Sequence, residues 1–142
     1  MPKIYRTMLP DSSGTKPKLG CVDGPGLGVR VPPDPNADVF PDQNGDIMPQ
    51  TGGMSAAPSV GEMLPHLIPK RMKHVYSQAN GSNKRDVWFM GEGPFANSEV
   101  APSLKLRLTS SKHGLVEPDS KMPIGRFQIL LSETQDQWRT VE

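Results

Sequence analysis

Leu104-Lys105-Leu106-Arg107-Leu108-Thr109 decides the fold class, because leucine and polar side chains alternate without a break. In an extended chain successive side chains point to opposite faces, so this period of two presents one face to a core and leaves Lys105 and Arg107 outside it. The next run, His113-Gly114-Leu115-Val116-Glu117-Pro118, reads as a further short strand closed by its proline, with His113 and Glu117 on one face. Period two or short apolar character recurs at 3–9, 27–31 and 86–90. Helical period appears once. Ile124, Phe127, Leu130, Leu131, Thr134 and Trp138 fall within an arc of about 120° when each residue advances about 100°, which predicts a helix over 123–138 with Pro123 near its first turn. The expected fold is α+β, a mixed or antiparallel sheet with few helices and many loops, the C-terminal helix packed on the sheet.

The chain of 142 residues suits a single domain, 1–142, with one core. Its 14 glycines and 16 prolines exceed the usual share without reaching a low-complexity composition. The formal net charge of +1 supplies no global field for nucleic acid or an anionic membrane, so any such contact must be local. The one cysteine, Cys21, excludes an intrachain disulfide and fits a reducing compartment. No apolar run is long enough for a transmembrane helix, and Met1-Pro2-Lys3-Ile4-Tyr5-Arg6 lacks the apolar stretch of a signal peptide.

Chemistry concentrates in a few places. Pro49-Gln50-Thr51-Gly52-Gly53-Met54-Ser55 packs two glycines between two hydroxyl side chains, which suits a shaped loop presenting N–H and O–H groups to a polar ligand, or else a tight turn. Arg6 interrupts a strand that is apolar on both sides, and an arginine there needs an anionic partner or an opening to solvent. Asp34, Asp38, Asp42 and Asp46 recur every four residues, unlike the spacing of a calcium loop, and His66, His74 and His113 are too far apart for a zinc helix motif, so no metal site is expected. Lys70, Arg71, Lys73 and His74 form a local basic cluster. Residues 59–68 are apolar enough to reach the core, although Pro65 and Pro69 prevent a long helix.

The pattern P-x-T-G-G-x-S at 49–55, the early Tyr5-Arg6, and H-x-x-V-x-P-x-x-x-M at 113–122 resemble the small ADP-ribosyltransferase-like toxins that bacteria export through type VI secretion systems. The resemblance implies an ADP-ribosyltransferase-like fold, NAD as substrate, and a macromolecular target in the cytoplasm of a competing cell. It also implies export without a signal peptide and a cognate immunity protein that blocks the cleft. In that frame Ser55, His113 and Glu117 are the catalytic candidates, while Arg6, Thr51, Gly52 and Gly53 are the candidates for holding NAD. Cleaving the nicotinamide–ribose bond passes through an oxocarbenium-like state, which asks for a carboxylate near the ribose. A forked arginine matches the pyrophosphate, and hydroxyl or backbone groups match the nicotinamide amide. The chain departs from the family in one respect. The best-known toxins of this group keep no acid at the position of Glu117, and the Ser-Thr-Ser motif of many transferases is absent, so Glu133 stands as a second candidate carboxylate. The reading requires strand 3–9 to lie beside strand 113–117, so that Arg6, Ser55 and His113 converge.

Two other classes fit the same residues. In a metal-independent ribonuclease toxin, His113 and Glu117 would act as acid and base while Lys70, Arg71 and Lys73 hold phosphates. In a non-enzymatic binding domain, the loops would only display the Gly-Gly turn.

Overall fold

The computed structural model describes residues 1–142. Its strands and single α-helix follow in the order β1 (Ile4–Met8), β2 (Asp46–Ile47), β3 (Met54–Ala56), β4 (Asp86–Met90), β5 (Ser98–Ala101), β6 (Leu104–Ser110), β7 (His113–Pro118), β8 (Met122–Pro123), α1 (Ile124–Ser132) and β9 (Arg139–Thr140). The leucine alternation is realised as β6: Leu104 and Leu106 are buried, while Lys105 and Arg107 stand on the opposite face. A β-bulge between Leu108 and Ser110 leads into β7. The sheet containing them runs β3-β7-β6-β5, a second runs β1-β4-β9, and β2 pairs with β8 alone. Every strand pairing is antiparallel, so the architecture is α+β and rich in sheet.

The two larger sheets are stitched together just past β3. Tyr5 and Ala57 exchange backbone hydrogen bonds, each at 2.9 Å. Strand β3 therefore stands between β1 and β7, where direct contact between those two was expected. The main core gathers Ile4, Met8, Trp88, Leu104, Leu106, Phe127 and Leu131 between the sheets and the helix, and Trp88 satisfies its indole N–H on the Met8 carbonyl at 3.0 Å. A smaller apolar cluster, including Val60, Met63, Ile68 and Val87, lies under the excursion from β3 to β4. That excursion contains three single-turn 3₁₀ helices, Val60–Glu62, Pro65–Leu67 and Lys70–Met72. Prolines at 65 and 69 keep them from merging, since each removes a donor and restricts the residue before it.

Two expectations are corrected. The helix ends at Ser132 rather than Trp138, because Thr134 turns its hydroxyl back to the Leu131 carbonyl at 2.7 Å and receives the Trp138 indole N–H at 2.9 Å. After a 3₁₀ turn at Gln135–Gln137, Trp138 adopts an extended conformation and the chain leaves as β9 beside β4. The start of the helix is where the sequence puts it, with Pro123 at the N-cap, leading in from β8. The run 27–31 forms no strand. Leu27 and Val29 are buried as the alternation requires, yet the partner of Val29 is a helix side chain: Gln128 donates to its carbonyl at 2.8 Å and accepts from its N–H at 3.2 Å.

Candidate functional site

Pairing with β7 turns Ser55 away from the core, because its neighbours Met54 and Ala56 are buried and side chains alternate along the strand. The Tyr5–Ala57 bridge brings β1 to the same edge. The result is a cavity of about 400 Å³ lined by Arg6, Ser55 and His113, three residues drawn from the start, middle and end of the sequence.

Arg6 enters from the core side of β1, between Ile4 and Met8. Its guanidinium donates to the Ser55 carbonyl from Nη1 at 3.0 Å, and to the Gly26 carbonyl from Nε at 3.2 Å and Nη2 at 3.0 Å. No carboxylate pairs with it directly. Burial therefore lowers its pKa, an effect that the Cys21 thiol and the Asp38 charge oppose, and the side chain stays cationic as arginine does in proteins. A desolvated cation satisfied only by neutral carbonyls leaves local positive potential for an anion to use.

His113 is half-buried in the same lining, and burial lowers its pKa. Its Nδ1 lies 2.7 Å from the Thr109 hydroxyl, which also donates to the His113 carbonyl at 3.1 Å. With Nδ1 engaged by Thr109, Nε2 is the ring nitrogen left for a ligand. Tyr5 also lines the cavity, and further walls come from residues that no sequence motif marks. Met63, Leu64 and Leu67 supply apolar surface from the 3₁₀ excursion, and Glu62 and Lys112 supply charge. The one signal available for Glu62 was an acid inside an apolar run.

Glu117 goes elsewhere. It lies opposite Lys105 in the β6–β7 register and is fully buried. Its Oε2 accepts from Arg107 Nε at 2.9 Å and from the Gln50 N–H at 3.0 Å, Lys105 Nζ stands 3.7 Å from Oε1, and Oε1 has no hydrogen-bond partner. These groups border a separate depression of about 610 Å³. His113 and Glu117 do share a face, yet Leu115 stands between them, and four residues of strand span about 13 Å. They are not a hydrogen-bonded pair. Glu117 instead fixes the loop before β3, where Gln50 has a positive φ of 67°.

Thr51, Gly52 and Gly53 also lie outside the residues lining the cavity. Thr51 donates its hydroxyl to the Met48 carbonyl at 2.6 Å. Gly52 has φ of +140°, and a Cβ there would meet the Asp38 carbonyl oxygen at 2.2 Å; a Cβ on Gly53 would meet the Val116 carbonyl oxygen at 2.4 Å. The close approach that makes both positions glycine is to the chain's own backbone, so they shape the entry to β3 instead of contacting the cavity.

The basic cluster is partly spent on structure. Arg71 pairs with Asp86 at 2.6 Å and Glu142 at 2.7 Å and donates to the carbonyls of Asn83 and Arg85. Bonding to Glu142 raises the Arg71 pKa, and burial raises that of Asp86. Glu133 is exposed at the C-cap of α1, beside Thr134 and Gln137. No protein-family model matches the chain, and no curated protein matches it significantly. No helix is long and apolar enough to cross a membrane.

Proposed function

We propose that this chain is an NAD-dependent toxin domain of the ADP-ribosyltransferase-like class, acting on a macromolecule in the cytoplasm of a competing bacterium. The observation that carries the reading is the meeting of Arg6, Ser55 and His113 in one cavity. Each brings a group the dinucleotide needs. Arg6 offers a phosphate oxygen its charge and the N–H groups that the Gly26 and Ser55 carbonyls leave over, Ser55 a hydroxyl to the nicotinamide ribose, and His113 the free ring nitrogen opposite Nδ1 to a ribose hydroxyl. The apolar wall of Met63, Leu64 and Leu67 fits a flat ring. Thr51, Gly52, Gly53 and Glu117 support from outside: they set the geometry of β3 and β7 and thereby the positions of Ser55 and His113. The immunity protein of this reading would cover the cavity mouth.

The ribonuclease reading has less support, because Arg71 is held by two carboxylates and Glu117 is too far along β7 to work with His113. Induced expression in a bacterial host tests the proposal. Wild-type protein should arrest growth, and Arg6→Ala, Ser55→Ala and His113→Ala should each restore it at equal protein level while still melting cooperatively. Normal growth at high wild-type level would instead favour a non-enzymatic binding domain.

A further inference from the structure

The proposed chemistry asks for a carboxylate near the scissile bond, and neither candidate from the sequence occupies the cavity. Glu117 is closed in by Arg107 and the Gln50 N–H, and Glu133 stands at the far end of α1. One carboxylate does line the cavity with Arg6, Ser55 and His113: that of Glu62. Its placement follows from local structure. Val60 and Met63, at 3% and 8% exposure, anchor the first 3₁₀ turn in the smaller apolar cluster, and Glu62 between them is left to face outward. Its ion-pair neighbour is Lys112 on the β6–β7 turn, whose Nζ lies 3.9 Å from Oε2, beyond hydrogen-bond reach. The two side chains are 70% and 42% exposed, so water screens the pair and an entering ligand can replace it.

We infer that Glu62 is the catalytic carboxylate of this cavity, set against the nicotinamide ribose; the inference rests on the NAD reading above. As the bond from ribose C1′ to the nicotinamide nitrogen breaks, its electron pair leaves with the ring, which becomes neutral. The positive charge passes to C1′ and the ribose ring oxygen. Glu62 then lies against that charge, a role in which its anion is worth more in the transition state than in the ground state. The acceptor, water or a nucleophilic group of the target, forms the new bond to C1′ with a lone pair and gives up its proton to His113 Nε2 or to solvent. Lys112 stands beside the carboxylate while the site is empty and leaves its oxygens free of hydrogen bonds.

The test compares purified full-length wild type, Glu62→Gln and Glu62→Asp for release of labelled nicotinamide from NAD in bacterial lysate, with melting curves alongside. Glu62→Gln is exposed and should melt like wild type, with kcat lowered about 100-fold, KM for NAD changed less than about threefold, and part of kcat recovered in Glu62→Asp. If wild type turns over NAD and Glu62→Gln keeps more than about a tenth of its kcat, or changes only KM, the assignment of Glu62 is overturned while the NAD reading stands. If wild type neither binds nor consumes NAD, the NAD reading falls and the assignment with it.

Discussion

Replacing Glu117 with alanine separates a structural carboxylate from a catalytic one. The side chain is completely buried, and its removal takes away an ion pair to Arg107 at 2.9 Å, a weaker one to Lys105 at 3.7 Å, and the acceptor that holds the Gln50 N–H at 3.0 Å. Breaking a buried pair by deleting one partner costs about 3–5 kcal/mol, mostly for the charge left behind. The Arg107 side chain is 30% exposed and can turn to water, which places the loss near the lower end, about 3 kcal/mol. For a chain of 142 residues, each kcal/mol lowers Tm by about 3 °C, so Glu117→Ala should melt about 9 °C below wild type. Urea unfolding followed by tryptophan fluorescence should move its midpoint correspondingly without a change in slope. Glu117→Gln, which keeps the volume and one acceptor but not the charge, should fall between them. A Glu117→Ala protein within about 0.5 kcal/mol of wild type that had nonetheless lost all activity would refute this account and return Glu117 to the site.

Gly53→Ala should cost about 1–3 kcal/mol by overpacking, since its Cβ would press on the Val116 carbonyl and part β3 from β7; activity should fall with stability, as thermal melting and the growth assay would show together. Phe127→Ala should cost about 3–5 kcal/mol, because the ring is fully buried where α1 meets the sheets; an unchanged melt would contradict the packing described. His113 gives a pH dependence. Its folded pKa lies below the ordinary 6.5, so below that pH the unfolded chain binds the extra proton and stability falls as pH drops, while above it the contribution is fully present. His113→Gln should flatten that part of the stability profile between wild type and variant.

The elements legible in the sequence are those whose pattern reports burial alone. Strands β6 and β7 follow from alternation, and the start of α1 from the spacing of Ile124, Phe127, Leu130 and Leu131. The same logic misplaces 27–31: Val29 alternates as a strand residue does, but period two states which side is buried and not who pairs, and the partner is Gln128. Two-residue strands such as β2, β8 and β9 carry too little sequence to have a period and exist because tertiary packing places their backbones side by side. At the site, Arg6, Ser55 and His113 are legible because a polar side chain in an apolar strand or beside paired glycines stands out. Glu117 misleads, because a shared strand face implies neither proximity nor access. The glycines at 52 and 53 mislead differently, since close approach to the chain's own carbonyls demands the same residue as close approach to a ligand. Glu62 goes unread because a proline-bounded string of 3₁₀ turns has no periodicity to mark which side chain faces outward.

The most direct test of the central claim is to incubate the purified chain with NAD labelled in the nicotinamide ring, with and without bacterial lysate, and to measure free nicotinamide. If the cavity of Arg6, Ser55 and His113 cleaves NAD, wild type should release nicotinamide in proportion to enzyme and time, and folded Ser55→Ala and Arg6→Ala proteins should release it at background. Growth arrest by a wild-type protein that releases no nicotinamide under either condition would contradict the claim.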